Sequence, residues 1–250
     1  MSMTTTDQPL AGKVSVITGA GRGIGRAIAL AYGAAGAAVI CAARTESEID
    51  ATVQQITTQG GKGLAIPTDV TKQIAVEQLF RQSADHFGGI DIVVINAGIN
   101  PDRRTVAESD PTAWRLTLET NLVAPYYCAR AALPYLKLRG AGKIIMIGSG
   151  MGHRSGSNSA YSCSKAGLWM LTRVLAQEVW QDKISVNELI PGPVETTMTT
   201  SADARQGVAF TTNSEWIKQP DDVIPLALFL ATQPAIGPTA QSFSLMRRDM

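Results

Sequence analysis

The chain has 250 residues, 45% of them hydrophobic, with 22 basic and 21 acidic side chains and a formal net charge of +1. That is enough apolar material for a substantial core, and near-neutrality argues against a nucleic-acid surface or an acidic tail. Three scattered cysteines and two histidines lack metal-ligand spacing, no apolar run reaches the roughly 18 residues of a membrane helix, and the first residues carry no apolar signal segment. A metal site, a membrane span and secretion are therefore not expected. The cysteines read as small buried hydrophobes and the compartment as a reducing cytoplasm.

From Lys13 onward, short Val/Ile-rich runs alternate with helical patterns. Strands are expected at 14–18, 38–42, 63–67, 91–96, 143–149, 184–190 and 241–245. Helices are expected at 24–35, 46–58, 72–87, 111–138, 160–181 and 220–231, with Pro125 and Pro134 bending or shortening the long one. Near-continuous β-branched runs are buried on both faces, so the alternation points to an α/β chain with a parallel sheet covered by helices on each side. No linker, repeat or low-complexity stretch divides it, and residues 1–250 read as one domain with an N-terminal tail over 1–12.

Between the first strand and the first helix lies TGAGRGIG, spanning Gly19, Gly21, Arg22, Gly23, Ile24 and Gly25. Glycine admits positive φ and close backbone approach, and the helix that follows aims free N–H groups at an anion. At the first β-α junction of an alternating chain, this is a dinucleotide phosphate site. The second strand ends Ala42-Ala43-Arg44, where a carboxylate would mark a plain adenosine ribose. Two guanidiniums, Arg22 and Arg44, and no carboxylate suit a ribose 2′-phosphate, so NADP(H) is expected over NAD(H).

The stretch from Gly148 to Lys165 ends a strand at Ser149, runs through a Gly/Ser-rich loop and opens a helix carrying Tyr161 and Lys165. Residues four apart share a helix face, so a hydroxyl, a phenol and an ammonium can converge where a carbonyl oxygen would exchange a proton.

Taken in order, Gly19-x-x-x-Gly23-x-Gly25, Asp69-Val70, Asn96-Ala97-Gly98, Asn121, Ser149, Tyr161-x-x-x-Lys165 and Pro191-Gly192 resemble the short-chain dehydrogenase/reductase family in its shorter, single-domain branch. The resemblance implies a Rossmann-type, doubly wound, seven-stranded parallel sheet. It implies that Asp69 and Val70 flank the adenine, that Asn96, Ala97 and Gly98 support the cofactor ribose, and that Pro191, Gly192, Val194 and Thr196 hold the nicotinamide. It also implies a homo-oligomer, tetramer or dimer, acting on a small carbonyl or alcohol. Tyr161 would be the general acid/base, Ser149 would orient the substrate oxygen, Lys165 would hold the nicotinamide ribose, and Asn121 would fix a water in the proton path. An ammonium ~4 Å from a phenol, at an effective dielectric of about 20, is worth roughly 4 kcal/mol, or about three pKa units. On that reasoning Lys165, together with the positive charge of an oxidised nicotinamide, is expected to bring Tyr161 close to working pH.

Three features depart from the family pattern. Ser149 and Tyr161 are one position closer than is usual, with Ser155, Ser157 and Ser159 as further serines in between. The sixth strand reads VNELIPGP, placing Glu188 in an apolar run, where it is expected to have a structural partner. The chain closes on AQSFSLMRRDM instead of an aspartate-glycine-glycine turn, so Phe243, Leu245, Met246, Arg247 and Arg248 are candidates for a contact with a neighbour or the substrate. Pocket candidates are Met151, His153 and Arg154, the region past Gly98, and a substrate lid over 197–219, with His153 read as solvated. The reading is an NADP(H)-dependent oxidoreductase interconverting a ketone and a secondary alcohol, with 3-oxoacyl thioesters the default substrate. The alternatives are a catalytically silent NADP(H)-binding sensor or scaffold and a sugar-nucleotide epimerase or dehydratase, the latter disfavoured by chain length.

Overall fold

The computed structural model describes residues 8–154, 158–200 and 215–247. Seven strands form one sheet: β1 (Val14–Thr18), β2 (Ala38–Ala43), β3 (Lys62–Pro67), β4 (Ile92–Ile95), β5 (Gly142–Ile147), β6 (Ile184–Ile190) and β7 (Ser242–Ser244). Their order is β3-β2-β1-β4-β5-β6-β7 and every pairing is parallel. This is the expected doubly wound α/β sheet. Every residue of β1, β4, β5 and β6 is buried, which is what their β-branched runs require.

The sheet divides the core in two. On one face α1 (Gly23–Ala34), α2 (Glu46–Thr58) and α7 (Ile224–Thr232) bury Ile28, Ile49, Ile56 and Leu230. On the other, α3 (Gln73–Phe87), α5 (Ala124–Leu138) and α6 (Ser159–Val179) bury Leu79, Phe80, Leu136 and Leu168. Leu10, inside the expected N-terminal tail, is almost fully buried and its N–H donates to the Ala35 carbonyl at 2.9 Å. Leu10 thus anchors the described part of that tail to the core, while Gln8, Pro9, Ala11 and Gly12 stay exposed.

The long helix expected over 111–138 is three pieces. It comprises α4 (Pro111–Leu118), a π-helical turn at Glu119–Val123, and α5. Pro125 lacks the N–H that would reach the Asn121 carbonyl, and the helix widens at that point. Pro134 is accommodated inside α5.

Strand order reverses between β1 and β4, and an open parallel sheet has its crevice at the carboxyl ends of the strands beside such a reversal. The glycine turn after β1, Asn96 after β4, Ser149 after β5 and Pro191 after β6 all lie at that edge. Cys41 and Cys128 are buried as expected, and burial pushes both thiols up to about 12. Cys163 is exposed instead, because it lies two residues from Tyr161, on another side of α6.

Candidate active site

A cavity of about 480 Å³ opens at the carboxyl edge of the sheet. Of the residues expected in the site, Arg22, Gly23, Ile24, Asn96, Gly98, Ser149, Tyr161, Lys165, Pro191, Gly192, Val194 and Thr196 line it. Gly19, Gly21, Gly25, Arg44, Asp69, Val70, Ala97 and Asn121 are not part of its lining.

The glycine turn is built for close approach. Gly19 and Gly23 have φ of +68° and +55°, in the left-handed region that glycine tolerates. A side chain on Gly25 would strike the Gly19 carbonyl and the Asn96 amide. α1 starts at Gly23 with no side-chain cap, leaving its first N–H groups directed into the turn. That cradle fits a dinucleotide's phosphates. Asn96 braces it from β4, its Nδ2 donating to the Thr18 carbonyl at 2.9 Å and the Gly19 carbonyl at 3.2 Å. The Asn96 and Ala97 N–H groups donate to Thr18 Oγ1 at 3.0 and 3.1 Å.

The end of β2 carries no carboxylate, as its sequence says, but one reaches Arg22 from α2. Glu48, in the first turn of α2, packs on Gly21 and lies 3.7 Å from Arg22, with the two side chains 37% and 64% exposed. Its position became visible only once α2 was seen to start over the glycine turn. Arg44 is exposed and makes no hydrogen bond or ion pair among the described residues. Asp69 Oδ1 accepts from the Thr71 N–H and hydroxyl at 3.0 and 2.8 Å, which fixes the turn that buries Val70. Gly192 has φ of +73°. Thr196 and Val194 are tied together through Thr199, whose hydroxyl accepts from the Thr196 N–H at 2.9 Å and donates to the Val194 carbonyl at 3.0 Å.

Ser149, Tyr161 and Lys165 come together at the cavity. Ser149 and the Tyr161 phenol line the same cavity, with Ser149 working to lower the phenol's pKa, and Ser149 Oγ accepts from the Met151 N–H at 3.2 Å. Lys165 is 4% exposed, donates to the Ile147 carbonyl at 2.7 Å, and sits 5.7 Å from the centre of the Tyr161 ring. Burial pulls its ammonium down to about 8, opposed by the negative charge of Glu188. The Tyr161 phenol is shifted upward. Burial raises its pKa, and the groups working against that are Ser149 and the Arg103 guanidinium. In this state Lys165 spends its hydrogen bond on the backbone and Tyr161 stays protonated.

Asn121, in the π turn, is almost fully buried. Its Oδ1 accepts from the Ile99 N–H and its Nδ2 donates to the Ile99 carbonyl, both at 2.8 Å, with a further bond to Ser164 Oγ at 3.2 Å. The side chain therefore pins the loop after β4. Ser159 accepts from Trp114 Nε1 at 3.1 Å, while Ser155 and Ser157 lie outside the described residues. Most of the expected lid, 201–214, and Arg248 also lie outside them.

Two further cavity residues, Arg103 and Asn158, were not named individually from sequence. Arg103 donates to the Met198 carbonyl at 3.3 Å, joining the loop after β4 to the segment after β6. Asn158 takes a left-handed conformation at φ +70°, with its buried Oδ1 unbonded among the described residues. Met246, one of the tail candidates, turns back over Gly150 and Gly192 and lines the cavity of its own chain with Met151 and Met198. His153, read as solvated, is instead 9% exposed and lies 2.9 Å from Glu188, which is the partner expected for that carboxylate.

Residues 13–207 match the short chain dehydrogenase family. The chain is 33% identical over 239 residues to a 3-oxoacyl-[acyl-carrier-protein] reductase of Synechocystis sp., covering 94% of this chain and 96% of that protein. It is 33% identical to a cis-4-hydroxycyclohexanecarboxylate dehydrogenase of Sinomonas cyclohexanicum, covering 91% and 92% of the two chains. The crystal structure of a short-chain type dehydrogenase/reductase from Mycobacterium marinum superposes with a TM-score of 0.87 at 31% identity, covering 95% of this chain and 96% of that one. With the fold, the glycine turn and the match along most of its length in agreement, the chain belongs to the short-chain dehydrogenase/reductase family and is a dehydrogenase/reductase.

Proposed function

We propose that this protein is an NADP(H)-dependent oxidoreductase interconverting a ketone and a secondary alcohol, with Tyr161 as general acid/base. The observation that carries the reading is the Ser149–Tyr161 hydroxyl pair facing the same cavity as the start of α1, with the Lys165 ammonium buried beside it. When bound, the dinucleotide supplies or accepts the hydride. The chain's own residues do the rest. The glycine turn and the open end of α1 hold the phosphates, and Pro191, Gly192, Val194 and Thr196 form the wall for the nicotinamide. Ser149 directs the substrate oxygen toward the phenol. Because burial keeps Tyr161 protonated, it is poised to donate to that oxygen as negative charge develops. Lys165 supplies positive charge behind the phenol, and Asn121 holds the loop at Ile99 against the site.

Arg22 and the uncommitted Arg44 support NADP(H) over NAD(H), even with Glu48 beside Arg22. The relatives' names include both a 3-oxoacyl thioester reductase and a dehydrogenase of an alicyclic hydroxy acid at the same identity. Substrates of both kinds belong in the first assay, with 3-oxoacyl thioesters leading. Among the described residues no helix is long and apolar enough to cross a membrane. Three free cysteines suit a cytoplasmic location. Exposed Leu116 on α4, Tyr126 on α5, and Met170 and Val174 on α6 support a homo-oligomer, which light scattering after gel filtration will read.

The test is NADPH and NADH oxidation against ketones, acyl thioesters and sugars. Turnover with NADPH on a ketone or 3-oxoacyl thioester is expected. Tight NADPH binding with no turnover on any member would replace the enzyme with a sensor.

A further inference from the structure

The three departures from the family pattern meet at one point. The loop between Ser149 and Tyr161 supplies His153, β6 supplies Glu188, and the atypical C-terminal segment supplies Ser242. Glu188 is 0% exposed, and its Oε2 takes a 2.6 Å hydrogen bond from Ser242 Oγ and lies 2.9 Å from His153 Nε2. The His153 ring packs edge-on against Trp169 at 5.3 Å, and Arg173 lies on that indole at 4.9 Å. Oε1 is buried without a hydrogen-bond partner among the described residues. It presses on Gly148, where any side chain would overlap it.

The sheet geometry fixes what lies above this carboxylate. Glu188 pairs in register with Met146, so the two side chains leave the same face, as would a side chain on Gly148 two residues on. That face is covered by α6, whose Leu168 and Leu175 share one core cluster with Met146. α6 carries Lys165 and Trp169 one turn apart, on the side reached by His153. Gly152, next to His153, packs on the backbone of Lys165 and Ala166, so the loop, the helix and the carboxylate form one unit.

We infer that Glu188, clamped by His153 and Ser242, is a positioning residue for Lys165, its buried negative charge holding the ammonium of the site in its charged form and in place. This rests on the reading of Lys165 given above. Glu188 is the acidic group whose field acts on Lys165. The other ionisable groups nearby are Tyr161 one turn earlier on α6, His153 from the loop, and Arg103, which acts on Tyr161. Were the carboxylate only half of an ion pair with His153, removing its charge would loosen the loop and leave Lys165 titrating as before. The tail departs from the pattern at the same place because Ser242 secures the carboxylate and the next residues carry Met246 over Gly150.

The test is direct titration of Lys165 in the full chain labelled with ¹³C at the lysine ε-carbon, its signal assigned by loss in Lys165→Met. In Glu188→Gln the midpoint is expected to fall by on the order of one pH unit, the scale of a lost nearby opposite charge. Glu188→Asp, which keeps the charge, should stay near the parent. Should Glu188→Gln fail to fold, the double variant Gly148→Ala/Glu188→Ala fills the vacated volume and poses the same question. With a ketone that turns over, the alkaline limb of kcat/KM should move with the midpoint. An unchanged midpoint in the variant that folds overturns the inference. A shifted midpoint in a protein that reduces no ketone keeps the inference and removes the catalytic reading instead.

Discussion

Two buried carboxylates stand near opposite ends of the sheet, and they are served differently. Asp91, just before β4, takes two hydrogen bonds from Arg139 at 3.2 and 2.9 Å, one from the Val14 N–H at 2.9 Å, and a third cationic contact from Lys13 at 3.4 Å. Both of its oxygens are spoken for, and it joins the start of β1 to the end of α5. Glu188, toward the carboxyl edge, has two partners on one oxygen and, among the described residues, none on the other, and its charge acts on the Lys165 of the site. A saturated carboxylate fixes structure. One left with an open oxygen, whose field reaches a buried ammonium, has capacity to act on it.

The sharpest way to separate the two ends is Asp91→Ala. It leaves Arg139 and the Val14 N–H without their acceptor and should lower stability by about 3 kcal/mol, read by urea denaturation, with kcat unmoved. A loss of turnover at full occupancy of the fold would mean that the ends are not separable.

The buried ammonium gives a smaller effect of opposite pH sense from a buried acid. Lys165 sits near 8 in the folded chain against 10.5 for an ordinary lysine, so between those values the unfolded chain binds more protons. The cost of burial is present in full below the folded value and is relieved as pH rises. Stability of the unliganded protein should therefore rise by on the order of 1 kcal/mol from pH 8 to about 9.5, and Lys165→Met should flatten that slope. A stability that stays flat across the window in the parent chain would place the ammonium in water.

At the cofactor end, Arg44→Ala should reduce the preference for NADPH over NADH on the order of tenfold, since one charge-assisted contact is removed. Equal efficiency with the two cofactors in the parent would show that Glu48, not the guanidiniums, sets the choice.

The sheet could be read from the sequence because buried parallel strands announce themselves locally. VSVIT, AVICAA and IVVI need no partner to be recognised. The glycine turn and the Tyr161/Lys165 pair are likewise local, one a turn and the other a helical spacing. What stayed hidden depends on chain crossings. Glu188 meets His153 across 35 residues and Ser242 across 54, and nothing in VNELIPGP says which neighbours arrive. Glu48 reaches Arg22 only because α2 begins over the glycine turn, and Met246 enters the cavity only because β7 delivers it there. The π turn at Asn121 was foreshadowed by Pro125 but not its consequence, a side chain committed to Ile99.

The claim on which the reactive end depends is that one half-buried phenol passes a proton to the substrate oxygen. It is tested by Tyr161→Phe, with NADPH affinity measured separately and turnover followed on a ketone reduced by the parent chain. Turnover is expected to fall about 100- to 10,000-fold with cofactor affinity preserved. A variant that binds NADPH normally and keeps its rate within a few-fold of the parent would contradict it.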